Sequence, residues 1–214
     1  MNLRVTMILL MLMALCPVGH AAEPDGPAAR WTQFAKALEN LHEQRIQTLD
    51  HVTRESSGGY GGIRANPDFY HEVKYIDPES GNVLAIVQRE KQSPNLLHVI
   101  ELYIYDDRGR LAREYLATYL PGRRETPFQT LITLYAYEDK LKAFRQFDAS
   151  DDLLFEYCAG EQDGNQVRIA WDELELPDSI SEIKDDGIRN AYRQCFQSLS
   201  RSAGSYLDPL YELK

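Results

Sequence analysis

Apolar residues recur every three to four positions after Pro27. In AARWTQFAKALENLHEQRIQTLDHV, the residues Trp31, Phe34, Leu38, Leu41, Leu49 and Val52 fall on one stripe at about 100° per residue, with Ile46 at its edge. This predicts an amphipathic helix over 28–53. His42 lies within the stripe and is expected to be a packed core residue rather than a ligand, whereas His51 points away. The pattern then lapses in RESSGGYGGIRANPD. These glycines follow a helix, and the stretch lacks the lysine and glycine spacing of a phosphate loop. Residues 54–68 therefore read as a Gly-rich linker.

From Phe69 to about Asp172 the period changes to two, broken by turn signals. DPESGN places Pro and Gly where a turn needs a fixed φ and a positive φ. SPN at 93–95, YEDKL near 138 and DASDD at 148–152 are further breaks, and Asp163–Gly164 is a strong hairpin signal. The runs between them predict a meander of about eight antiparallel strands over 69–172. Tyrosines cluster within it. In VIELYIYDDRGRLAREYLATYLPG, a three-residue loop Asp107–Arg108–Gly109 pairs Asp106 with Arg110, Tyr105 with Leu111, Tyr103 with Arg113 and Glu101 with Tyr115. That register leaves Ile100, Leu102 and Ile104 on the other face. A one-residue slip would carry Arg113 and Tyr115 onto the isoleucine side. LITLYAYEDKLKAF repeats the arrangement, with Ile132, Leu134 and Ala136 opposite Thr133, Tyr135 and Tyr137.

A second helix is predicted over 179–203. Ser179 and Glu182 match a capping box, Ile188, Tyr192, Cys195 and Leu199 form its stripe, and Gly204 can close it. The two helices are the available covers for the aliphatic side of the sheet. The expected fold is α+β: a strongly curved antiparallel meander packed on an N-terminal and a C-terminal amphipathic helix.

The first 26 residues change the picture of where the chain works. Arg4, an apolar run from Val5 to about Leu15, Pro17 and the small residues Gly19 and Ala21 form a secretory leader with cleavage expected after Ala21. Its apolar run is shorter than the roughly 20 residues a spanning helix needs. Leu15 occupies the place where a lipoprotein signal before Cys16 wants a small residue. The expected product is one exported domain, 22–214, periplasmic or secreted, with no stable membrane insertion. Cys158 and Cys195 remain after cleavage, and in an oxidising compartment two cysteines are expected to form one disulfide. The formal net charge of −10 disfavours nucleic acid as a partner, because binding there is driven by clustered cations. Arg123 and Arg124 make only a local basic tip.

Candidate chemistry is sparse. The sequence holds no GxSxG elbow, HExxH, zinc-type Cys/His spacing, calcium loop or nucleotide motif. The Asp pairs 106–107, 151–152 and 185–186 coincide with turns or helix starts, where Asp bonds locally. No catalytic residue, metal or cofactor is expected. Tyrosine offers large contact area with a polar tip. The candidate binding residues are therefore Tyr103, Tyr105, Arg113, Tyr115 and Tyr135, and the expected partner is a protein or peptide.

The order of leader, helix and long antiparallel meander is similar to the layout of periplasmic lipoprotein carriers. That resemblance covers layout and no motif; it implies an open sheet wrapping an apolar ligand over a helix. The meander followed by a helix is also similar to a lipocalin barrel. Three readings follow: a non-enzymatic binding or assembly protein using the tyrosine face, a carrier of an apolar small molecule on the concave side of the sheet, and a hydrolase with a dispersed site.

Overall fold

The computed structural model describes residues 26–60, 66–121 and 125–214. The leader, its cleavage at Ala21, and the Arg123–Arg124 tip lie outside the described residues. Helix α1 (Pro27–Thr48) leads into nine strands: β1 (Val52–Tyr60), β2 (Asn66–Ile76), β3 (Val83–Glu90), β4 (Ser93–Tyr105), β5 (Leu111–Thr118), β6 (Gln129–Glu138), β7 (Leu141–Phe147), β8 (Leu153–Gln162) and β9 (Asn165–Asp172). They form one antiparallel sheet in sequence order. Strands β1 and β9 are its two edges, so the sheet is open. Helix α2 (Asp186–Phe196) and short 3₁₀ turns, the last at Pro209–Leu213, complete the chain.

Three boundaries differ from expectation. Helix α1 stops at Thr48, with Leu49 already extended at φ −101° and ψ 136°. Leu49 and Val52 continue the apolar stripe but are 42% and 49% exposed, so they contribute little to the core that would extend the helix. The expected linker is largely strand, which makes nine strands where about eight were expected. Ser56, Ser57 and Gly58 of β1 pair with Glu72, His71 and Tyr70 of β2. The glycines there serve close approach: a Cβ at Gly58 would meet the Tyr70 ring, and one at Gly59 the Asn66 carbonyl. The expected helix 179–203 is divided. Ser179 and Glu182 flank only a 3₁₀ turn, and α2 begins where the Asp185 carboxylate accepts from the Ile188 N–H at 2.9 Å. Ile188, placed on the buried stripe by the sequence, is 46% exposed.

The core lies between the helices and one face of the sheet. Phe34, Leu38 and Leu41 of α1 are at most 2% exposed, against Ile100, Leu102, Tyr115, Ile132 and Phe147 of β4 to β7. Each such side chain contributes about 1.5–3 kcal/mol through burial. A second cluster packs Tyr192, Cys195 and Phe196 of α2 on Ala143, Cys158 and Ile169. The Cys158–Cys195 disulfide joins α2 to β8, with Cα atoms 5.9 Å apart.

Candidate functional site

The predicted turn between β4 and β5 is present: Gly109 has φ 72°, and the Asp106 N–H donates to the Arg110 carbonyl at 2.8 Å. Tyr105 also pairs with Leu111 as expected. Beyond that pair the register shifts by one, Ile104 lying opposite Arg113 and leaving Ala112 as the extra residue of a bulge. Tyr103 then pairs with Glu114 and Leu102 with Tyr115. Arg113 and Tyr115 are thereby carried onto the helix side. The slip removes Glu114 from the aliphatic face and lets the Tyr115 ring fill the core beside Phe34, at 6.2 Å between centroids.

The five candidate residues therefore divide. Tyr115 is fully buried and donates its hydroxyl to Glu212 Oε1 at 2.6 Å. Arg113 clasps the same carboxylate, its Nη2 donating at 2.7 Å. Burial first, then the Glu212 charge, pushes the Tyr115 phenol well above its usual range. This constellation ties the C-terminal 3₁₀ turn to the sheet, with Tyr115 fully buried and Arg113 partly exposed. Tyr105 donates to the Val83 carbonyl at 3.0 Å. Tyr103, Tyr105 and Tyr135 share the face opposite the helices.

That helix-free face carries more aromatic area than the sequence reading assembled. Tyr135, Phe144 and Tyr157 sit directly opposite one another across β6, β7 and β8. Their ring centroids are 5.5 and 5.2 Å apart, and Phe155 adds a contact to Phe144 at 5.8 Å. All four rings are half-buried by their neighbours on the sheet. Lys142 lies over the Tyr135 ring at 5.1 Å. On the β4–β5 side, Tyr103 donates to the Glu101 carboxylate and Tyr135 donates to Glu114 Oε2 at 2.9 Å. Burial, followed by the adjoining carboxylate, raises both phenols, so they stay neutral donors. Burial, opposed by the Tyr135 bond and reinforced by Glu101, raises Glu114. The stripe thus runs from apolar rings to a hydrogen-bonded tyrosine–carboxylate border. Phe144, Phe155 and Tyr157 could have been found by carrying the alternation through LKAFRQF and LLFEYC.

A second polar group lies under α2. Arg145 and Glu156 are 3% and 0% exposed, and Arg145 Nε donates to Glu156 Oε1 at 2.7 Å. The Tyr192 hydroxyl donates to the same carboxylate oxygen at 2.9 Å, and Arg145 also reaches the Leu199 carbonyl. This network holds α2 and the segment after it. His42 is buried as expected, edge-on to Tyr75 at 4.8 Å, but its Nδ1 has no hydrogen-bond partner among the described residues.

Among the described residues, no group of three or more His, Cys, Asp or Glu side chains could hold a metal ion, and no helix is long and apolar enough to cross a membrane. Compared with protein-family models, curated proteins and solved structures, the chain matches none.

Proposed function

We propose that this chain is an exported, non-enzymatic binding or assembly protein that recognises a protein or peptide through the helix-free face of its sheet. The observation that carries the reading is the aromatic stripe Tyr135–Phe144–Tyr157, which crosses three adjacent strands while both helices pack on the opposite face. Aromatic rings held by their strand neighbours supply contact area at little entropic cost, and the Tyr103–Glu101 and Tyr135–Glu114 pairs supply a polar rim. The tight packing where α1 lies on β3 and β4 supports the same choice over an apolar carrier. The cavity bordered by His42, Ile46, Ala85 and Leu102 has a volume of about 10 Å³, room for a single water. The reading also takes the sheet to curve strongly around α1, a shape favoured by the register shifts that interrupt β1/β2, β2/β3, β3/β4, β4/β5 and β7/β8. Export follows from the leader read in the sequence.

The test is a double substitution, Tyr135→Ser with Tyr157→Ser. It should cost only about 1–2 kcal/mol of stability, as for partly exposed positions, while abolishing capture of the partner after mild cross-linking in the native host. Undiminished capture of the partner by a folded double variant would contradict the assignment.

A further inference from the structure

Strand β9 is the last strand of the sheet and pairs with β8 alone among the described strands. Asp163 and Gly164, with φ 51° and 81°, make a two-residue turn that leaves Gln162 opposite Asn165. In such a hairpin the pair flanking the turn is hydrogen-bonded, and bonded pairs then alternate. Asn165, Val167, Ile169 and Trp171 therefore direct their backbone groups to β8. Gln166, Arg168 and Ala170 direct theirs outward, whereas the Asp172 carbonyl accepts from the Glu175 and Leu176 N–H groups of the following turn at 2.9 and 3.0 Å. The β8–β9 ladder runs without a register shift, and no strand follows β9 in the sheet among the described residues. The usual protections of an edge, a bulge or a proline, are missing from it.

A groove of about 580 Å³ runs along this edge, bordered by Val167, Trp171 and, from α2, Ile188 and Ala191. Ile188 is 46% exposed, and Leu174, just past the strand, is 94% exposed. Val167, Trp171, Ile188 and Ala191 border the side to which alternate residues of an added strand would point. The surrounding charge is one-sided. Asp163, Asp172, Glu173, Glu175, Asp178, Glu182 and Asp185 lie on the segments beside the groove without a cationic partner among the described residues, whereas Glu161 and Asp186 are paired with Lys140 and Arg189, and Arg168, Lys184 and Arg193 are the remaining cations there.

We propose that the β9 edge and its groove against α2 bind an extended, basic polypeptide segment that adds a tenth strand to the sheet. Backbone pairing supplies the affinity, alternate aliphatic residues of the segment fill the groove, and the acidic border selects its cationic residues. This surface is separate from the aromatic face, and its occupation needs nothing from that face.

Fluorescence anisotropy with three labelled decapeptides tests it: alternating Lys and Val, alternating Glu and Val, and the Lys–Val peptide N-methylated at alternate residues so that it cannot pair along one edge. The full mature chain should bind the first and bind the other two weaker by about tenfold or more. Arg168→Pro removes an outward N–H without touching the β8 ladder, so it should keep the fold and lose the Lys–Val peptide. Equal binding of the methylated or the acidic peptide would overturn the proposal, as would a folded Arg168→Pro variant that binds like the parent. If Arg168→Pro does not fold, the methylated peptide on the parent protein decides alone. A stable dimer of the free chain that Arg168→Pro disrupts would assign the edge to a second copy and also overturn it.

Discussion

Tyr115 and Glu212, 97 residues apart in sequence, meet inside the protein, the tyrosine hydroxyl 2.6 Å from the carboxylate. The contact records the register of β4 and β5, because only a Tyr115 on the helix side can reach the C-terminal turn. Tyr115→Ala should cost about 3–5 kcal/mol, as core aromatic truncations do, whereas Tyr115→Phe keeps the ring and should cost about 1 kcal/mol. Urea unfolding of the two variants checks both values. A mild Tyr115→Ala would contradict the burial.

The Arg145–Glu156 pair is closed off from water on both sides, with side chains 4% and 0% exposed. Arg145→Met and Glu156→Met should each cost about 3–5 kcal/mol, because each strands the other charge. The double change should cost much less than their sum. Equilibrium unfolding of the four proteins measures the coupling, and strict additivity would show that the two groups act independently.

His42 gives a pH signature. Burial, then the charges of Arg89, Arg45 and His51, push its imidazole down from 6.5 to about 4. Between those values the unfolded chain binds a proton that the folded chain refuses. The stability this group contributes is complete above about pH 6.5 and is lost as the pH falls toward 4, by at most about 3 kcal/mol. His42→Leu should fold and show a stability profile flatter by that amount over the same window. Matching profiles for the two proteins would contradict the buried neutral histidine.

The Cys158–Cys195 bond closes a loop across the β8–α2 connection, with a sequence separation of 37. On the chain-entropy model, replacing both cysteines by serine should cost about 4 kcal/mol. Peptide mapping without reductant should yield one linked pair from the mature chain. Two free thiols in the folded protein would contradict the bond.

Most of the architecture was legible because its signals are local. The α1 stripe, the turns at Gly109 and Asp163–Gly164, and the alternation through Ile132, Leu134 and Ala136 all reappear in the structure. Two elements escaped for identifiable reasons. Strand β1 reads VTRESSGGY, with no aliphatic face to betray it, and it exists because β2 offers it a partner. The Ala112 bulge is invisible to alternation, since one extra residue inverts every later side chain of β5. It is set by tertiary packing, the fit of the Tyr115 ring against Phe34 and Leu102. The aromatic stripe was half legible: Tyr103 and Tyr135 were in view, whereas Phe144 and Tyr157 join them only once β6, β7 and β8 are paired. Arg145 and Glu156 lie on separate strands with ordinary spacing, and nothing in the sequence couples them.

The central claim, recognition through the aromatic face, is tested most directly by photo-cross-linking in the native host. A benzoylphenylalanine at Tyr135 should form a discrete adduct with a partner, Phe144→Ser should abolish it, and the same probe at Arg193, exposed on α2, should not form it. Adducts that form equally from both positions, or that survive loss of the Phe144 ring, would contradict the claim.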